Sequence, residues 1–85
     1  MNKKNKLTLI IAIPCPYCIR VLNYMNEKEI NDIEIIDTKW DQNEHFRLRE
    51  QYGKTQVPLL LINDSPLYES LDIIKYLEET YNEFS

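Results

Sequence analysis

Two cysteines stand in the run Cys15-Pro16-Tyr17-Cys18, and the chain has no others. A pair at this spacing can cycle between dithiol and disulfide, or it can ligate a metal. Tetrahedral zinc needs four ligands, and with His45 the single histidine there is no set to complete. A secreted disulfide framework needs several bridges closing longer loops, so the pair is not a structural staple either. Redox chemistry remains. Pro16 suits the first position of a helix, where its missing N–H costs nothing, and this makes Cys15 the cap. The free amides of Tyr17 and Cys18 are then expected to point at the Cys15 sulfur and favour the thiolate, the form that attacks a disulfide. Cys15 is the expected nucleophile. Cys18 lies almost one turn further on, along the apolar face shared with Val21 and Leu22, and is the expected resolving thiol.

The elements that must hold this pair can be read on either side of it. Leu7 to Ile11 is a continuous β-favouring run ending at Pro14, which predicts a strand buried on both faces. Cys18, Val21, Leu22 and Met25 follow the i, i+3, i+4, i+7 spacing of a helix from about Pro16 to Glu29. Ile33, Ile35 and Ile36 make a second short strand. Asp41, with Glu44 three residues on, opens a second helix that should stop at Gly53, the only glycine. Leu59 to Ile62 is a third strand, Asn63 to Pro66 has turn chemistry, and Leu67 to Tyr68 forms a fourth. Ser70 can cap a last helix whose apolar positions are Ile73, Ile74, Leu77, Tyr81 and Phe84. The order βαβαββα predicts one α/β domain over residues 1–85, a four-stranded mixed sheet with helices on its faces.

Composition narrows the partners. Ten basic against fourteen acidic side chains give a net charge of −4, the wrong sign for neutralising phosphates, so nucleic acid is not expected. Leu, Ile, Val and Phe make up 25 of the 85 residues, about 29%, comfortably above the ~20% below which chains tend to stay disordered. Met1 to Lys6 is basic and Leu7 to Ile13 apolar, superficially like an export signal. That run sits at the lower limit of about 7 residues for a signal core, and Ile13 and Pro14 stand where a cleavage site wants small residues. With no stretch near the ~20 apolar residues of a membrane span, a cytoplasmic protein without membrane contact is expected.

Three segments, Cys15-Pro16-Tyr17-Cys18, Gln56-Val57-Pro58-Leu59, and Glu69 to Ile74 leading into Tyr76-Leu77, occur in an order and spacing that resembles the glutaredoxins. The likeness is to those glutaredoxins that look like the N-terminal domain of glutathione transferases. It implies a thioredoxin-like fold and a thiol–disulfide oxidoreductase that reduces protein disulfides and protein–glutathione mixed disulfides with glutathione, without a metal. It also implies that the first cysteine is nucleophilic, that the bond to Pro58 is cis, and that Val57, Glu69 and Ser70 hold glutathione, with Tyr17 lining the groove. A cis bond at Pro58 would turn the Val57 backbone outward to pair with an extended peptide. Glu69 beside a helix N-terminus suits the ammonium, and Ser70 the carboxylate, of a γ-glutamyl group.

The chain departs from the family at Ala12, Ile13 and Pro14, where glutaredoxins usually carry a basic residue that meets a glutathione carboxylate. Arg20, Gln56 or Lys54 are candidates for that contact. The helical second domain of glutathione transferases lies outside these residues, so transferase activity is not expected. His45 is expected at the surface and Trp40 as a packing anchor near the second helix. Expected partners are glutathione and disulfide-bearing or glutathionylated client proteins, with the chain itself a monomer. Two alternatives compete. One is a redoxin reduced by a flavoprotein reductase, for instance supplying ribonucleotide reductase; the other is a non-enzymatic module binding glutathione or a bridging iron–sulfur cluster through Cys15.

Overall fold

The computed structural model describes residues 5–81. The elements are β1 (Leu7–Ile11), α1 (Pro16–Glu27), β2 (Glu34–Asp37), α2 (Gln42–Tyr52), β3 (Leu59–Ile62), β4 (Ser65–Tyr68) and α3 (Ser70–Tyr81). They form one sheet in the order β2-β1-β3-β4, with β2 parallel and β3 antiparallel to β1, and β4 antiparallel to β3. The βαβαββα order and the mixed four-stranded sheet agree with the sequence reading.

β1 is buried along its whole length because its alternate side chains enter two separate cores. Leu7, Leu9 and Ile11, with Leu60 of β3, meet Cys18, Val21 and Met25 of α1 and Ile73 and Leu77 of α3. Ile10, Leu59 and Leu61 point to the opposite face and meet Leu48 of α2. α1 and α3 therefore share one face of the sheet, and α2 covers the other. No helix among the described residues is long and apolar enough to cross a membrane.

Several boundaries move from their expected places. α1 ends at Glu27 rather than Glu29, whose φ of 56° lies outside the helical region. Ile33 precedes β2 and is buried, whereas Ile35 and Ile36 are exposed, because β2 is an edge strand. The hairpin turn is confined to Asn63 and Asp64, with φ of 52° and 75°, the pattern of a two-residue type I′ turn. β4 consequently starts at Ser65, and Pro66 pairs with Leu61 inside it. An edge strand tolerates this, since it can turn the position lacking an N–H away from the ladder.

α2 behaves as its end signals require. The Asp41 carboxylate accepts from the N–H groups of Asn43 (2.8 Å) and Glu44 (3.1 Å), and Gly53 closes the helix at φ 90°. α3 begins one residue before its expected first turn. The Glu69 carbonyl accepts from the Ile73 N–H at 3.0 Å, so Ser70 is the first helical residue and Glu69 occupies the cap position. Ile73 and Leu77 are fully buried, while Phe84 lies outside the described residues.

Candidate functional site

Cys15 is the N-cap of α1, with extended backbone (φ −159°, ψ 118°), Pro16 directly after it, and its carbonyl accepting from the Ile19 N–H at 2.9 Å. Its side chain makes no capping hydrogen bond. The expected aim of the Tyr17 and Cys18 amides at the sulfur is therefore corrected: the backbone caps the helix, and the sulfur stays available to another partner. That partner is Cys18. Both cysteines are free thiols, and they differ in setting: Cys15 keeps 8% of its surface exposed and Cys18 none. Burial pushes the Cys18 thiol up to about 12; its hydrogen bond to Cys15 and the charges of Cys15 and Asp37 add to this, and the Ala12 amide opposes it. At neutral pH Cys18 therefore holds its proton and donates towards Cys15. The two thiols are thus distinguished by their surroundings.

Beside the pair lies a groove of about 460 Å³ lined by Tyr17, Arg20, Gln56, Val57, Pro58, Glu69, Ser70 and Leu71. Tyr17, Val57, Glu69 and Ser70, which the resemblance assigned to glutathione, line it together with Gln56 and Pro58, from three separate segments. Tyr17 and Arg20 come from the start of α1, Gln56 to Pro58 from the approach to β3, and Glu69 to Leu71 from the start of α3. The Val57–Pro58 bond is cis, as the resemblance implied, and Ile13–Pro14 is cis as well, which the sequence reading did not anticipate. Of the three candidates to replace the missing basic residue, Arg20 lines the groove, with its guanidinium carbon 5.9 Å from the Tyr17 ring centroid. Lys54 turns away, its ammonium 4.4 Å from the centre of the Tyr68 ring. Gln56 also lines the groove but uses its amide to hold Glu69, donating to the carboxylate at 3.1 Å.

Glu69 has φ 76°, a left-handed conformation that a residue with a side chain adopts at a cost of about 1–2 kcal/mol. Its carbonyl opens α3 while its carboxylate lines the groove, and strain of this kind persists where the surroundings over-determine it. Leu71 was not assigned a role from sequence. An apolar residue in a first helical turn reads as core, yet here it stays 64% exposed on the groove wall.

A second layer holds the loop that leads into Cys15. The Asp37 carboxylate accepts from the Ile13 N–H (3.3 Å) and the Lys39 N–H (2.9 Å). The Ile11 carbonyl accepts from both the N–H (2.8 Å) and the hydroxyl (3.2 Å) of Thr38. With its one proton committed, the Thr38 oxygen must accept from His45 Nε2 at 2.8 Å, which places the proton on Nε2. The Thr55 hydroxyl in turn donates to the His45 carbonyl at 2.8 Å. His45 is thus a half-buried link from α2 to the end of β1 rather than a surface residue. Trp40 lies 5.4 Å from its ring and is half exposed, so it packs on His45 without anchoring a core. No group of three or more His, Cys, Asp or Glu among the described residues is placed to hold a metal ion.

A model of the glutathione S-transferase N-terminal domain matches residues 9–84. Glutathione S-transferase U16 of Arabidopsis thaliana is 28% identical over 82 residues, 96% of this chain and 35% of that protein. The chain spans only 35% and 25% of the lengths of the two curated relatives it matches first. Among solved structures, a tau-class glutathione S-transferase from mango, Mangifera indica, superposes with a TM-score of 0.72 at 27% identity, over 92% of this chain and 35% of its own. Oxidised glutaredoxin 2 from Chlamydomonas reinhardtii gives a TM-score of 0.69 over 93% of this chain and 77% of its own, and at 21% identity it speaks for the fold alone. The thioredoxin-like sheet, the groove between α1 and α3 and a family match over nearly the whole chain agree: the chain belongs to the glutathione S-transferase N-terminal domain family.

Proposed function

We propose that the protein is a glutathione-dependent thiol–disulfide oxidoreductase of the glutaredoxin type, acting on protein disulfides and on protein–glutathione mixed disulfides. The observation that carries this reading is the asymmetric thiol pair set against a groove able to hold a peptide, with Cys15 retaining a small accessible edge and Cys18 fully buried and protonated. Cys15 attacks one sulfur of the client disulfide, forming a mixed disulfide and releasing the other sulfur as a thiolate. Cys18 then attacks Cys15, forms the intramolecular disulfide and frees the second client thiolate, and its proton passes to that leaving group. Two glutathione molecules reduce the Cys15–Cys18 disulfide in turn and leave as glutathione disulfide. Glu69 and Ser70 hold the γ-glutamyl group, and the Val57 backbone pairs with the cysteinyl residue of the tripeptide.

The test is reduction of a glutathionylated protein by the chain with glutathione and glutathione reductase, run beside the same assay with thioredoxin reductase. Turnover with the first couple alone is expected; turnover only with the second would support a redoxin served by a flavoprotein. A second reading, glutathione transfer to an electrophile, is favoured by the transferases among the relatives. Conjugation of glutathione to 1-chloro-2,4-dinitrobenzene, surviving Cys18→Ser and exceeding the redox rate, would decide for it.

A further inference from the structure

Two of the eight residues lining the groove are charged, Arg20 and Glu69, and they have opposite signs. Arg20 stands in the second turn of α1 and Glu69 caps α3, the helix packed against α1. Neither is neutralised: the one ion pair among the described residues is Arg47 with Glu44, on the surface of α2. The remaining walls offer no further charge. The approach to Cys15 is Ala12-Ile13-Pro14, Gln56 is spent on Glu69, and Lys54 sits over Tyr68. A groove with one positive and one negative group fits a ligand head carrying one carboxylate and one ammonium, the α-amino-acid end of a γ-glutamyl peptide. Among the described residues that line it, nothing of matching charge remains for a second carboxylate at the ligand's other end.

We infer that the groove reads the γ-glutamyl head alone, Glu69 taking its ammonium and Arg20 joining Ser70 on its carboxylate, so that the substrate class is γ-glutamyl thiols in general and includes γ-glutamylcysteine, which lacks the C-terminal glycine. The inference rests on the thiol–disulfide reading above and extends it. With γ-glutamylcysteine the chemistry balances as it does with glutathione. The Cys15 thiolate takes the γ-glutamylcysteinyl group from a mixed disulfide and releases the client thiolate. A second γ-glutamylcysteine thiolate then attacks that group, restoring the Cys15 thiolate and leaving as the symmetrical disulfide, so one free thiol is consumed for each mixed disulfide reduced.

The experiment uses the 2-hydroxyethyl mixed disulfides of glutathione, γ-glutamylcysteine and cysteinylglycine, each with its own thiol as reductant, and follows release of 2-mercaptoethanol. Removing the glycine breaks no charge-assisted bond, so kcat/KM for γ-glutamylcysteine should lie within about threefold of that for glutathione. Removing the head breaks both ion pairs and the Ser70 bond, and the two ion pairs alone are worth roughly tenfold each, so cysteinylglycine should fall by about a hundredfold or more. Arg20→Ala should lower kcat/KM for both γ-glutamyl thiols by the same factor, about tenfold, and Arg20→Lys should restore part of it. Iodoacetamide labelling of Cys15 and the melting temperature should stay at wild-type values in both variants. A tenfold or larger preference for glutathione over γ-glutamylcysteine overturns the inference and leaves the thiol–disulfide reading standing. So does equal use of cysteinylglycine, or an Arg20→Ala protein with unchanged rates. Failure with all three thiols overturns that reading and this inference together.

Discussion

The face of the sheet under α1 and α3 is sealed by side chains that are almost all apolar. Leu9, Leu60, Val21, Ile73 and Leu77 are fully buried there, and Cys18 is buried among them. The face under α2 is held differently. That helix buries one side chain, Leu48, and leaves Phe46 exposed, because its sequence Gln42–Tyr52 has no apolar stripe at helical spacing. What ties α2 down is polar: His45 to Thr38, Thr55 to the His45 carbonyl, and the Asp41 cap. Both thiols sit on the tightly packed side, where a side chain's position is fixed by neighbours it cannot leave cheaply, while the charged groove residues Arg20 and Glu69 stay exposed at its rim. The loosely packed side supplies the hydrogen bonds that steady the loop before Cys15.

The largest effect expected is chemical and lies on the sealed side, where both cysteines sit. Cys15→Ser should abolish reduction of protein disulfides and of glutathione mixed disulfides alike, whereas Cys18→Ser should keep the second activity and lose most of the first. Loss of deglutathionylation in a folded Cys18→Ser protein would show that the roles of nucleophile and resolving thiol are misassigned. Next in size comes packing. Ile73→Ala, in the sealed core, should cost about 3–4 kcal/mol, and Leu48→Ala, at the edge of the other core, about 2 kcal/mol, both read from urea denaturation. Equal losses would erase the contrast between the faces.

Alkaline titration probes the sealed side from another direction. Burial raises the Cys18 thiol from 9.0 to about 12, and burial with the hydrogen bond to Asp32 raises the Tyr81 phenol from 10.0 to about 12. In that range the unfolded chain gives up these protons before the folded one does, so stability is intact below about 9 and should fall as pH climbs from about 9 towards about 12. Melting temperatures across that window should decline in wild type and decline less in Cys18→Ala; parallel slopes would remove Cys18 from the account. The smallest effect belongs to the polar side. Thr38→Val keeps the shape but removes the oxygen that serves both Ile11 and His45, and should cost about 1–2 kcal/mol. Hydrogen exchange in α2 should rise more than in α1, and uniform exchange across both helices would argue that α2 does not open independently.

What the sequence disclosed follows the same division. β1, α1 and α3 announce themselves through periodic apolar residues, and Tyr17, Val57-Pro58 and Glu69-Ser70, each legible from its motif, line one groove. α2 was legible only through its ends, Asp41 and Gly53, and those ends were right because capping is a local matter of one or two residues. The Thr38–His45 link and the Asp37 bond to Ile13 were not legible. They join residues distant in the chain, and neither Thr38 nor Asp37 is of a type or spacing that marks such a role. Leu71 and the extent of β4 escaped for a related reason: exposure of an apolar residue and tolerance of a proline both depend on which neighbour a strand or helix lacks.

The left-handed backbone at Glu69 sets two selective demands against each other. Glycine would relax that conformation and asparagine would ease it, but neither carries the carboxylate that lines the groove. Glu69→Gly should therefore give a chain that melts higher and binds its γ-glutamyl ligand more weakly. A search of variants for thermal robustness alone would be drawn to this residue first, and would discard the groove's one negative charge there.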